Sequence, residues 1–546
     1  MYFLAQANPW AGIEVGEQLF YFSPMIALVC TMLAVVGCPV ILGRGPRTIA
    51  AIATLGVVAT FILTLRVAGA VNTGGGLSGL STQPGAGILI ADNLSICFQI
   101  VLLIFMGGVM WLWWLGSAEH ERNAPEFFIL LLGSALGMAL MVSTQNLLMI
   151  VVAIETASLP SYAFVGFDKR DRIGAEASLK YMVFGAICAA TMLYGVSLLY
   201  GLVGSLNMAD VAAYTTQNLA GGENRVLLSV ALICFFIGIA FKISAVPFHF
   251  WCPDAFEGAK IEVTTWLSVV SKAAGLVLLA RLATVFCGAV DYPVEMSLIR
   301  PLAWIIGIMA AITCTYGNFC AYKQRSVKRL LAYSSIAHAG YMLMAVAVFI
   351  HPSVQGHEAG ITALLVYIII YLFMNLGAFG ATALVVWATG SDSIESFNGL
   401  RRRAPWIAVP MIICLMSLVG IPPLAGFIGK WWILVALGSL SKASASLSTL
   451  GWVLIIVAVL NTLISLFYYL RVVVQMGLYD DGKPQVRAPI GGLTLVNICA
   501  VVLLALFVLA HPLKKTADRF SRDVFHAVAA LPQDAGPVAS STDKTD

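Results

Sequence analysis

The chain has 546 residues, 60% of them hydrophobic and 11% charged, with a mean hydropathy of +0.92. A soluble domain carries about 25% charged residues, so no water-soluble core could hide this much apolar surface, and lipid is the solvent for most of the chain. The formal net charge of +4 comes without any long basic run interleaved with aromatics, which excludes a nucleic-acid footprint.

Apolar runs of about 20 residues, each long enough to cross a bilayer as a helix, recur from end to end. Fourteen are expected, centred near Leu28, Ala59, Ile104, Leu136, Ile154, Ala190, Ile237, Val270, Met309, Met342, Ile370, Ser417, Leu460 and Leu503. The first lies too deep in the chain, and is followed by too many others, to read as a cleaved signal. The Gly74-Gly75-Gly76 run sits in a connection with no strand before it and reads as a flexible turn, not a nucleotide fingerprint. Gly133 and Gly137 fit a small-residue packing face.

Placing the odd-numbered connections in the cytoplasm puts about sixteen Lys and Arg there, including Lys169, Arg170, Arg172, Arg325, Arg329 and Arg401 to Arg403, against about five on the other side. A miscount by one span would scramble that asymmetry. Both termini then face outside, which is the periplasm of a bacterial inner membrane.

Two spans are interrupted. The seventh carries Pro247 after Lys242. The twelfth runs from about Trp406 to Leu440, too long for one straight crossing, and contains Pro422-Pro423. Breaks in spans five apart, entered from opposite sides, point to two inverted five-helix repeats, and broken helices at matching positions of inverted halves point to an ion site. The expected fold is an all-α polytopic membrane protein with discontinuous helices 7 and 12. Its parts are residues 1–125 (helices 1–3), 126–290 (first repeat, helices 4–8), 291–480 (second repeat, helices 9–13), 481–512 (helix 14) and 513–546, a polar tail able to form a short amphipathic helix through Phe520 and Phe525.

Four charges fall near the middle of spans: Glu155, Lys242, Lys272 and Lys430. Each costs about 2.5–3.5 kcal/mol even on a lenient insertion scale. Burial disfavours the charged form of both acid and base, so such groups are poised to exchange protons. Pro247 cannot donate to the Ile243 carbonyl, which is expected to leave an acceptor free beside Lys242 and to favour internal water. Static pairing would not need lysines in excess, so the set reads as a proton relay. Lys180, near the start of the sixth span, is a candidate partner of Glu155 or Lys242, with snorkelling to the interface as the alternative. His338, near Ser334 and Ser335, and His249, just past Pro247, are possible extensions of the relay.

The eleven cysteines are scattered, and none forms a CxxC pair. Without clustered thiolates or a flavin or nicotinamide fingerprint, any redox cofactor is expected on other chains.

The strings SLPSYAFVGF, EASLKYMVFGAICAATMLYGVSLLYG, FKISAVPFHFWCPDAFEGA, VKRLLAYSSIAHAGYML and GIPPLAGFIGK resemble the antiporter-like membrane subunits of respiratory complex I, most of all the N type (chain 2), over roughly Ile88 to Leu509. The M type carries a glutamate where this chain has Lys430, and the L type continues into a long lateral helix that this chain lacks. Lys180, within EASLKY, is similar to the N-type pattern. After WCPDAFEGA the family has a proline-containing turn, whereas this chain has Lys260-Ile261-Glu262.

The resemblance implies a subunit of a proton-translocating NADH:quinone oxidoreductase, itself a translocase with no redox centre on this chain. FMN, iron–sulfur clusters and quinone are then expected on partner subunits, among them sister antiporter-like chains. It also implies that Glu155 is the fifth-span glutamate, Lys242 the broken-helix lysine, Lys272 the central connecting lysine and Lys430 the lysine of the second half-channel. An Mrp-type cation/proton antiporter, or a photosynthetic complex using ferredoxin, would look similar from this chain alone.

Overall fold

The computed structural model describes residues 15–529 apart from 42, 44, 74–77, 80–87, 117–122, 219–223, 289–295, 350–353, 441–444, 480–484 and 487. The glycine run at 74–76, the final tail and part of the basic connections, including Arg44, Arg122 and Lys483, lie outside the described residues.

A short helix α1 (Val15–Tyr21) leads into the hairpin α2 (Ser23–Ile41) and α3 (Pro46–Thr73). A two-residue antiparallel pair, β1 (Ser78–Gly79) with β2 (Ile90–Ala91), precedes α4 (Asn93–Gly116). Then come α5 (Ala124–Val142), α6 (Leu147–Val165), α7 (Arg172–Val203), the short α8 (Met208–Asn218), α9 (Arg225–Ile243), α10 (Trp251–Gly258) and α11 (Ile261–Gly288). The second half runs α12 (Met296–Ala321), α13 (Val327–Val348), α14 (Val354–Thr389), α15 (Leu400–Arg403), α16 (Pro405–Val419), α17 (Ala425–Leu440), α18 (Ala445–Leu478), α19 (Ile490–Val508) and α20 (Ala510–Ala529).

Among the described residues, thirteen helices are long and apolar enough to span a membrane. The pair α16 and α17, each too short alone, supplies a fourteenth crossing at the predicted place. The helices sort by burial. α11 is buried throughout, and α13, α14 and α4 nearly so, whereas α2, α3, α7, α18 and α19 bury only about a third of their residues. The outer helices present large apolar side chains such as Leu55, Ile187, Val226 and Phe467 outward, as lipid allows. The inner helices are no more apolar than the outer ones, with mean hydropathies of 1.4–2.2 against 2.0–2.5, so hydropathy does not mark them as the buried set.

Several buried hydroxyls of α11 are satisfied within their own helix: Thr265 Oγ1 donates to the Ile261 carbonyl at 2.7 Å and Thr284 Oγ1 to the Ala280 carbonyl at 2.9 Å. Close packing relies on small residues. A Cβ at Gly137 would come within 2.2 Å of the Ala157 backbone nitrogen, so α5 and α6 touch backbone to backbone there, as the Gly133/Gly137 pattern predicts.

Both predicted breaks are present, with one change in cause. α9 ends at Ile243 because Ser244 turns left-handed (φ +63°), before Pro247 is reached. The freed carbonyls are not all left open. Ala245 N donates to the Ala240 carbonyl, and the Trp251 indole donates to the Phe241 carbonyl at 3.1 Å. At the second break Gly420 takes the same role with φ +85°. The peptide bonds Val246–Pro247 and Pro422–Pro423 are cis. The turn after α10 closes without a proline, because Lys328 Nζ donates to the Glu257 and Ala259 carbonyls at 2.6 and 3.0 Å.

The tail helix α20 packs across α14, α4 and α11. Thr362 Oγ1 donates to Asp518 at 2.9 Å and lies 3.1 Å from Ser521 Oγ.

Candidate functional site: a line of buried charges

Lys242 occupies the last turn of α9, where helix carbonyls favour a cation. It is fully buried, and Nζ donates to Ser158 Oγ at 3.1 Å. Ser158 lies three residues beyond Glu155, on the same face of α6. Glu155 is partly buried one turn from Ser158, the residue that accepts from Lys242.

The stem of Lys242 lies against α11: a Cβ on Gly275 would be 3.6 Å from Lys242 Cγ. Gly275 is three residues from Lys272, so the two lysines meet the same helix one turn apart. Lys272 is fully buried, donates to Ser335 Oγ and to Cys252 Sγ (3.4 Å), and sits 5.3 Å from the centre of the Phe256 ring.

Ser335 and its neighbour Ser334 belong to α13. Ser334 hydrogen-bonds the Tyr469 hydroxyl, which lies 3.4 Å from His338 Nε2; His338 Nδ1 lies 2.6 Å from the Tyr367 hydroxyl. His338 is thus linked through Tyr469 to Ser334, next to the Lys272 acceptor Ser335, and on its other side to Tyr367. Tyr367 packs beside Gly429, next to Lys430.

Lys430 Nζ donates to the Val419 carbonyl at 2.8 Å and to Thr462 Oγ1 at 3.4 Å, and sits 4.4 Å from the centre of the Tyr341 ring. Among the described residues, no carboxylate lies within ion-pair distance of Lys242, Lys272 or Lys430. Their partners are hydroxyls, a thiol, carbonyls and rings.

The structure therefore brings Glu155, Lys242, Lys272, His338 and Lys430 into one line. It does not bring in Lys180. That side chain is 45% exposed and pairs with Glu176 at 2.9 Å and Asp254 at 3.0 Å, not with Glu155 or Lys242. His249 stands to one side, buried, with its ring centre 4.4 Å from that of Tyr316; its Nδ1 finds no hydrogen-bond partner in the structure. Ser158, Cys252, Tyr367, Tyr469 and Thr462 were not singled out by the sequence, and Ser335 only as a neighbour of His338. Ser158, at helical spacing from Glu155, and Ser335, at helical spacing from His338, left a local signal; the others reach the line through contacts distant in sequence.

A buried ion pair lies apart from this line. Arg281 on α11 donates through Nη2 to Asp92 at 2.8 Å and through Nε to the Val142 carbonyl at 2.9 Å. Asp92 precedes α4. Burial alone would push its carboxyl up, but the Arg281 guanidinium and hydrogen bonding with Ser95 hold it below its ordinary value.

Residues 144–465 match the model of a family described as NADH:quinone oxidoreductase/Mrp antiporter, TM. The chain is 37% identical over 430 residues to NADH-quinone oxidoreductase subunit N of Anaeromyxobacter sp. (strain Fw109-5), covering 77% of this chain and 81% of that protein. It is 38% identical over 395 residues to the chloroplastic NAD(P)H-quinone oxidoreductase subunit 2 of Mesostigma viride, covering 70% and 72%. Among solved structures it resembles a chain of respiratory complex I from Thermus thermophilus with bound aureothin, at 30% identity and a TM-score of 0.69, covering 89% of this chain and 97% of that one.

Proposed function

The chain belongs to the antiporter-like membrane subunits of NADH:quinone oxidoreductase, of the N type, and from that premise we propose that it is a proton-pumping module driven by electron transfer on partner subunits. Glu155 modulates Lys242, Lys272 passes the proton through the Ser335, Ser334, Tyr469 and His338 groups, and Lys430 exchanges it with the second half-channel. The observation that carries this reading is that, among the described residues, no carboxylate lies within ion-pair distance of the three lysine ammonium groups. A line built for static neutralisation would pair each lysine with an acid; here each ammonium meets a hydroxyl that can accept a hydrogen bond and hand a proton on, Ser158 for Lys242, Ser335 for Lys272 and Thr462 for Lys430.

Each charge moved outward works against about 2.3 kcal/mol per 100 mV. A static structure supplies no such work, so the reading requires a redox reaction on neighbouring chains, with FMN, iron–sulfur clusters and quinone held there. The excess of Lys and Arg in odd-numbered connections supports a bacterial inner-membrane orientation with both termini in the periplasm.

The test is purification of the tagged chain in mild detergent with mass spectrometry of what accompanies it. Flavin and iron–sulfur subunits together with sister antiporter-like chains are expected. Recovery with small cation-antiporter subunits alone would overturn the reading.

A further inference from the structure

Half-helix α10 contacts Lys272, caps the turn that carries Lys242 and joins a surface charge cluster at once. On its inner side Trp251 caps the Phe241 carbonyl, adjacent to Lys242, while Cys252 accepts from Lys272 and Phe256 lies under the same ammonium. On its outer side Asp254 holds two cations, Lys180 on α7 at 3.0 Å and Arg329 on α13 at 3.0 Å. Arg329 also pairs with Glu257, and Lys328 closes the last carbonyls of α10. The neighbouring residues repeat the clamp with rings: Tyr181, beside Lys180, stacks on Trp251 at 4.0 Å and 8°. The half-helix is therefore fastened from the first-repeat side and the second-repeat side by one carboxylate.

We propose that Asp254 is a positioning residue: clamped between Lys180 and Arg329, it fixes α10, and through Trp251, Cys252 and Phe256 sets the surroundings of Lys242 and Lys272. This gives Lys180 a function without a place in the proton line, because it acts through Asp254. Each pair is partly exposed and individually weak, so the clamp can loosen without unfolding the membrane core.

Cys252 is a built-in reporter, being fully buried on the clamped half-helix. The experiment is N-ethylmaleimide labelling of the intact purified complex, read by mass spectrometry at Cys252, with buried Cys414 on α16 as the reference. Labelling of a buried thiol follows how often its cover opens. Asp254→Asn is expected to speed Cys252 labelling about two- to fivefold, the range that exposed ion pairs supply, with Cys414 unchanged. Asp254→Glu is expected to restore it in part. If Asp254→Asn fails to assemble, Lys180→Met, which keeps the Arg329 arm, should show a smaller change in the same direction. Unchanged Cys252 labelling in the assembled variants would overturn the proposal.

The thiol measurement is independent of the relay reading, on which only the functional consequence rests: fewer protons moved per electron pair in Asp254→Asn. Faster labelling with an unchanged proton ratio would support the clamp and count against the relay.

Discussion

Lys430 and Lys242 hold their charges at corresponding ends of two broken helices by different routes. Lys242 rides in the last turn of α9 itself, whereas Lys430 is carried by α17 and reaches back to the Val419 carbonyl, the last residue of α16, at 2.8 Å. Both lysines meet the negative end of the first half-helix, but only Lys430 donates to one of its carbonyls; Lys242 Nζ donates to Ser158 Oγ instead. That placement offsets part of the cost of burial with no acid among the described residues within ion-pair distance of either lysine.

Gly420 is predicted to be essential to the second of these arrangements. Its φ of +85° disfavours any side chain, and a Cβ there would lie 2.9 Å from Lys430 Cδ. Gly420→Ala should cost about 1–2 kcal/mol from the left-handed backbone alone and displace Lys430. Thermal unfolding of the purified complex and its proton-to-electron ratio should both fall; a variant matching wild type in both would refute the placement.

Ser158 is the hydroxyl that receives the Lys242 ammonium. Ser158→Ala removes a hydrogen bond to a charged group, worth about 1.5–3 kcal/mol. Pumping should slow by about tenfold or more while Ser158→Thr retains most of it. Proton uptake by proteoliposomes during quinone reduction measures the difference.

The Arg281–Asp92 pair is predicted to be structural. Arg281→Met should destabilise by about 3–5 kcal/mol, because it strands a buried carboxylate. The carboxyl is held below its ordinary value of 3.8, so its contribution is present above that pH and is lost as pH falls through the lowered value. Thermal unfolding should therefore show a gap between wild type and Asp92→Asn that persists at neutral pH and narrows only in strong acid. A gap that closes already near pH 6 would contradict the pairing.

The spans were legible in the sequence because lipid demands a continuous apolar run of set length, and the mid-span charges stood out against it. The breaks were legible from Pro247 and Pro422-Pro423, but the mechanism of the first was not. Ser244 ends α9, and nothing in its residue type announces a left-handed backbone. The partners of the lysines were mostly hidden. Ser335, Cys252 and Tyr469 are ordinary residues of apolar helices, and only the packing of α10, α11, α13 and α18 brings them to Lys272 and His338. Lys180 misled for a related reason: its position near a span end fits either an inner partner or an interfacial one, and Asp254, 74 residues away, decides it.

The central claim is that Lys242 carries protons. Its most direct test is Lys242→Ala in a fully assembled complex reconstituted into liposomes, with protons translocated and quinone reduced measured together. The account predicts that assembly survives while proton translocation is abolished or strongly reduced. A fully assembled Lys242→Ala complex with the wild-type proton-to-electron ratio would contradict it.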